Sequence, residues 1–303
     1  MTSATSSHDL QRILAGVQLP ALPQSAIRLL ELSQDPDNGP AEFAVPIESD
    51  PGLTGQVLRF VNSSYFGFSR EIASVKLAIT LVGIRTIKNF SLWSAVFSLM
   101  PNPKCGPFDL KTLWQDSLRR ALFARKMGGV LGIKDAEDLF AAALLQDMAV
   151  PLLAKEMADD YIDLLGKRED GTVRLSDLER DQYGWTHAEA AGVMARGWNL
   201  PEEFAALIDV HTNIDELAVD ADSKPGELAV ALSALLPAGS DPVWHEHEKF
   251  ESIYRDVSAQ RDAPSIAHIL DEVDQQFAEF APVLKLATPS KSLVDWHNDG
   301  TVE

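Results

Sequence analysis

A chain of 303 residues with 46% hydrophobic content has the apolar inventory for a large core, as one domain or two. Its 45 acidic against 26 basic residues give a formal charge of −19, which on average repels phosphate and argues against nucleic acid as a partner. Cys105 is the only cysteine, so an internal disulfide and a cysteine-based metal cluster are excluded. No apolar run approaches the roughly 18 residues of a membrane span, and MTSATSSHDLQRILAG lacks the basic and apolar regions of a signal peptide, so a cytoplasmic protein without membrane contact is expected.

Residues 1–18 read as a mobile N-terminus. Leu19 to Pro23 then leads into QSAIRLLELSQDP, where Ile27, Leu29, Leu30 and Leu32 suit an amphipathic helix stopped by Asp35-Pro36. AEFAVPIES carries Pro46, which kinks a helix or marks its first turn. Asp50-Pro51 supplies an N-cap followed by proline at the first helical position of GLTGQVLRFVNSS. Ser74 caps VKLAITLVG, and Ile84 to Met100 gives a long apolar helix. The pair joined at Gly83 is a helix-turn-helix on paper. Lys76, Arg85 and Lys88 are its only basic residues, too few for a phosphate-binding surface.

The proline-rich break at Pro101 to Pro107 separates an N-terminal helical layer (19–100) from a central bundle (108–236). Helices are predicted at Leu110 to Met127, Ala136 to Leu153, Ala158 to Lys167, Leu175 to Gln182, His187 to Trp198, Glu202 to His211 and Glu227 to Leu236. Trp244 to Ala259 and Ser265 to Phe280 make a C-terminal helical extension (243–287), rich in Asp, Glu and Gln. Residues 288–303 read as a disordered tail, with Trp296 as an exposed anchor. Val and Ile never form period-two runs bounded by turns, so the expected fold is all-α.

The segment Leu139 to Leu153, LFAAALLQDMAVPLL, reads as a helix apolar on every side and therefore buried, except for Gln146 and Asp147. A dry, unpaired carboxylate costs several kcal/mol, so Asp147 requires a cation, a metal, hydrogen-bond donors or a proton. Arg119, Arg120, Arg125 and Lys126 recur at helical spacing and read as a solvated face. His245 and His247 diverge by about 200° on a helix and read as solvated, and Cys105 as inert.

The polar residues set into these helices come in the order Asp116, Gln146-Asp147, His187, His211. With LWQDSLRRA, FAAALLQDMA and YGWTHAEAAGVMARGWNLPEEFAALIDVH, and with LPALPQSAIRLLELSQDP and IESDPGLTGQVLRFVNSSYFG upstream, the chain resembles an HDOD domain, the HD-related output domain of bacterial signalling proteins. The resemblance covers roughly Leu19 to Leu236, as an HD-like bundle with an N-terminal helical layer. It implies descent from metal phosphohydrolases that hold one or two ions with His and Asp ligands. Against that pattern, Asp116 stands where the first His is expected, Gln146 replaces the His of the His-Asp pair, Ser233 or a neighbour replaces the late Asp, and Ala149 an expected Gly.

Asp147, His187 and His211 remain, and each also has a structural reading, as a packing hydrogen-bond acceptor or a helix-end residue. Asp116, Gln146, Asp147, His187 and His211 are thus expected to be vestigial site positions with no catalytic residue, no metal and no cofactor. The resemblance implies a non-catalytic regulatory module contacting signalling proteins in trans. The alternative is a phosphohydrolase using one divalent metal on a nucleotide or cyclic dinucleotide. A weakly metal- or anion-binding remnant stands between the two.

Overall fold

The computed structural model describes Leu10, residues 19–259 and residues 261–300. Those residues are helical, with no strand among them, and none of their helices is long and apolar enough to cross a membrane. They divide into two compact units.

One unit is Pro20–Leu99 with Gln275–Thr288. It holds α1 (Gln24–Leu32), α2 (Pro40–Glu48), α3 (Pro51–Val61), α4 (Val75–Val82) and α5 (Ile84–Leu99). The caps are chemical. Asp50 accepts from the Leu53 N–H at 3.0 Å, and Ser74 from the Leu77 N–H at 3.3 Å. Pro46 lies within α2, which continues through it. Asn62 pins the loop after α3 by pairing with both backbone groups of Ile72, at 2.7 and 2.8 Å. Ile47, Val57, Val61, Ala78, Ile79 and Ile87 form the core, with the Phe60 ring stacked on Phe90 at 4.1 Å.

The other unit is built on Met100–Asp274 and the chain from Pro289. In order it holds α6 (Leu110–Val130), α7 (Ala136–Leu145), α8 (Ala149–Glu156), α9 (Ala158–Gly166), α10 (Leu175–Tyr183), α11 (His187–Gly197), α12 (Glu202–Asp209), α13 (Ile214–Val219), α14 (Pro225–Ser233), α15 (His247–Ser258), α16 (Ile266–Phe280, whose end belongs to the other unit) and α17 (Leu293–Gly300). Helices α6 and α7 pack closely. A Cβ on Gly128 would lie 2.7 Å from Leu139 Cδ1 and 3.0 Å from Ala136 Cβ.

Several sequence expectations need correction. The helix expected to run unbroken from Ala136 to Leu153 is two helices, with Gln146, Asp147 and Met148 in the turn between them. Pro151 explains the break, because its ring has no N–H and would collide with the carbonyl four residues back, that of Asp147. The Asp147 carbonyl accepts instead from the Val150 N–H at 3.0 Å. The residues after Thr288, expected to be disordered, include α17, and Trp296 is 7% exposed rather than an exposed anchor. His247 is buried rather than solvated, whereas His245 is exposed.

The basic run of α6 is not a solvated face. Arg119 is 3% exposed, donates to the Lys291 carbonyl at 2.5 Å and lies 3.6 Å from Asp274. Lys126 pairs with Glu272 at 3.0 Å, and Arg125 lies over the Phe140 ring. These cations tie α16 and the chain before α17 to α6, which helical periodicity alone could not distinguish from exposure.

Candidate functional site

The break at Pro151 decides where the central carboxylate goes. Asp147 leaves the regular helix path and projects into a cavity of about 600 Å³ lined also by Asp116, Arg120, His187 and His211. Arg120, from the middle of α6, forms an ion pair with one Asp147 oxygen, Oδ2. The other, Oδ1, faces two imidazoles, His187 Nε2 at 3.3 Å and His211 Nε2 at 3.5 Å. The two Nε2 atoms are 3.3 Å apart.

Each imidazole is held from behind. His187 opens α11, where Thr186 and Glu189 form a capping box, and its Nδ1 and its backbone N–H both lie 2.7 Å from Glu179 Oε2. The second Glu179 oxygen accepts from the Tyr161 hydroxyl at 2.7 Å. His211 Nδ1 donates to the Ile208 carbonyl at 2.7 Å, which leaves its Nε2 lone pair directed at the cluster when the ring is neutral.

The electrostatics follow from this packing. Burial alone would raise the Asp147 carboxyl, but the Arg120 charge and the His187 hydrogen bond hold it well below the usual range. Burial opposes charge on His187 too, yet Glu179 and Asp147 outweigh it and push the imidazole up to about 9. His187 is therefore an imidazolium at neutral pH, and burial keeps His211 neutral. Two cations, Arg120 and His187, thus balance two carboxylates, Asp147 and Glu179.

The structure brings together Asp147, His187 and His211. It does not bring Gln146 or Asp116 into that cluster. Gln146 is fully buried away from the cavity, and neither of its amide atoms has a hydrogen-bond partner among the described residues. Asp116 reaches the cavity but accepts from the Gly239 N–H at 3.0 and 3.1 Å. Burial pushes its carboxyl up to about 6, against the lowering pull of Arg120 and the Gly239 N–H. Ser233 is buried and donates to the Val230 carbonyl, so it supplies no ligand in place of the late Asp.

Sequence reasoning missed Arg120, Glu179 and Tyr161. Arg120 is the informative miss: a buried Asp147 called for a cation, and α6 carried one.

An HD-type metal centre can be tested against these residues. The three donor atoms form a triangle with edges of 3.3 to 3.5 Å, close to the roughly 3.3 Å expected around a tetrahedral ion with bonds of about 2.0–2.1 Å. The rest of the environment opposes it. Arg120 holds the same carboxylate, Gln146 lies outside the cavity, and Asp116, although it lines the cavity, is engaged by the Gly239 N–H. The cluster therefore offers three convergent donors, one of which, the Asp147 carboxylate, is already engaged by Arg120.

A sequence profile of the HDOD domain matches residues 19–214. The chain belongs to the HDOD family. Among solved structures, this HDOD chain is similar to an HDOD domain protein of unknown function from Geobacter sulfurreducens, with a TM-score of 0.73 at 22% identity, covering 94% of this chain and 99% of that one. It is also similar to a protein from Shewanella amazonensis SB2B provisionally named a phosphohydrolase, with a TM-score of 0.68 at 20% identity, covering 91% of this chain and 98% of that one. These likenesses establish the fold. An uncharacterized protein of Treponema pallidum is 22% identical over 197 residues, which are 65% of the HDOD chain and 38% of the relative's length.

Proposed function

We propose that this HDOD chain is a non-catalytic regulatory module that contacts signalling proteins in trans. The observation that carries the reading is the ion pair between Arg120 and Asp147, which places a fixed side-chain cation on the carboxylate that a hydrolase keeps for its metal. The cavity's other arginines support it. Arg168 is bidentate to Asp241 at 2.7 and 3.1 Å, and Arg174 lies 3.5 Å from Glu246, so each cation that could meet a phosphate already faces a carboxylate.

A contact surface is available on the N-terminal helices. Leu77 and Leu81 lie one turn apart on α4 at 45% and 47% exposure, which places two apolar side chains on one outward face. The acidic C-terminal extension is a weaker candidate, because Glu272 and Asp274 face basic residues of α6.

The test pairs two assays on the full chain. Nucleotides and cyclic dinucleotides incubated with Mg, Mn, Fe or Ni are expected to show no turnover above that of Asp147→Asn. Cross-linking in cells is expected to recover a signalling protein, with the yield lost in Leu77→Glu/Leu81→Glu. Metal-dependent turnover abolished by Asp147→Asn would instead establish the phosphohydrolase reading, which the triangle around Asp147 favours.

A further inference from the structure

A second group of convergent donors lies in the C-terminal helices, beyond the residues matched by the HDOD profile. His247 opens α15, and Glu251 follows one turn later, so the two share a helix face. His297 comes from α17, fifty residues away in the chain. The three donor atoms meet. His247 Nε2 is 2.9 Å from His297 Nδ1 and 3.5 Å from Glu251 Oε1, and His297 Nδ1 is 3.3 Å from the same oxygen. We infer that His247, Glu251 and His297 form a divalent-cation site, suited to Zn²⁺, that clasps α17 to α15.

The donor set is two imidazoles and one carboxylate, borderline ligands of the kind zinc takes with a fourth position left to water. The edges of 2.9 to 3.5 Å suit an ion about 2.0–2.1 Å from each atom. Two neutral imidazoles need only one proton to satisfy their nitrogen contact, and the Glu251 oxygen is then left to share that same N–H. A cation at the centre uses all three lone pairs at once.

The surroundings differ from those of Asp147 in the respect that matters. Among the described residues, the Lys or Arg side chain paired with Glu251 is Arg255, 3.9 Å from the other oxygen, Oε2, and itself 73% exposed. Oε1 is left for the imidazoles. The side chains of His247, His297 and Glu251 are 7%, 13% and 22% exposed, so the group is supported by protein yet reachable from solvent.

Two features fix the His247 ring. The Trp244 ring packs edge-on against it at 4.7 Å, and Gly300 lies so close that a Cβ there would come within 2.6 Å of Nδ1. A ring in contact with both Trp244 and the end of α17 is oriented before any ion arrives. The ion would then hold in place the C-terminal helix, which carries the buried Trp296.

The experiment uses the full chain without a histidine tag, stripped by chelator and titrated with Zn²⁺ alone by calorimetry, with Co²⁺ as a spectroscopic stand-in. Wild type is expected to bind with visible Co²⁺ bands of low-symmetry four-coordination and a change in tryptophan emission from Trp244 and Trp296. His297→Gln is expected to lose one equivalent of binding, or to weaken it beyond the roughly 10- to 100-fold that loss of even an outer-shell partner costs. Its melting temperature in chelator should match that of chelated wild type. If His297→Gln does not fold, Glu251→Gln decides by the same readings. No saturable binding by wild type, or stoichiometry and affinity unchanged in the folded variant, would overturn the site.

Discussion

Arg120 on α6 and Asp147 in the turn between α7 and α8 form a largely buried ion pair that ties that turn to α6 in the lining of the cavity. Removing one partner strands the other's charge. Asp147→Asn and Arg120→Met are each expected to destabilise the chain by about 3–5 kcal/mol in urea unfolding, and the double variant by less than the sum. An additive double variant would mean that the pair does not act as a unit.

Asp116 predicts an unusual pH response. Its folded pKa of about 6 exceeds the ordinary value of 3.8, so between those values the folded state holds a proton that the unfolded chain has lost. The carboxylate thus subtracts stability as pH rises from about 4 through 6. Asp116→Asn removes this loss and keeps an oxygen for the Gly239 N–H. Its melting temperature should exceed that of wild type at pH 7.5 by the equivalent of about 1–3 kcal/mol, with the gap closing near pH 4. A gap that is constant with pH would place the effect elsewhere.

The all-α architecture and the caps at Asp50 and Ser74 were legible because local chemistry fixes them. The expectation that Asp147 must have a partner followed from its apolar setting. The partner was not legible, since Arg120 has the same helical spacing to its basic neighbours whether the face is wet or buried. The break before α8 could have been read from Pro151, whose clash with the carbonyl four residues earlier falls on Asp147. Glu179 gave little sign of itself within the polar stretch LERDQY, because its burial depends on Tyr161 and His187 from other helices.

Gln146 offers a stabilising substitution. Its amide is fully buried and makes no hydrogen bond among the described residues, so each polar atom carries desolvation without return. Gln146→Met keeps the length of the side chain without the amide, and should raise stability by about 1–2 kcal/mol in urea. Gln146→Met less stable than wild type would show that the amide has a partner, such as an ordered water.

His187 sets the alkaline limit. Its folded pKa of about 9 lies above the ordinary 6.5, so the imidazolium contributes stability that is fully present below about pH 6.5 and is lost as pH rises through 9. The span corresponds to about 3 kcal/mol at most. Glu179→Gln preserves an acceptor for the Tyr161 hydroxyl but removes the charge behind His187, and should lower the His187 pKa. Imidazole NMR titration gives the pKa directly, and urea unfolding at pH 6, 8 and 10 gives the linked stability. In wild type, stability should fall across that series by more than in Glu179→Gln. An unshifted His187 titration in the variant would show that Asp147 alone holds the proton, and the two-cation, two-carboxylate balance would then have to be redrawn.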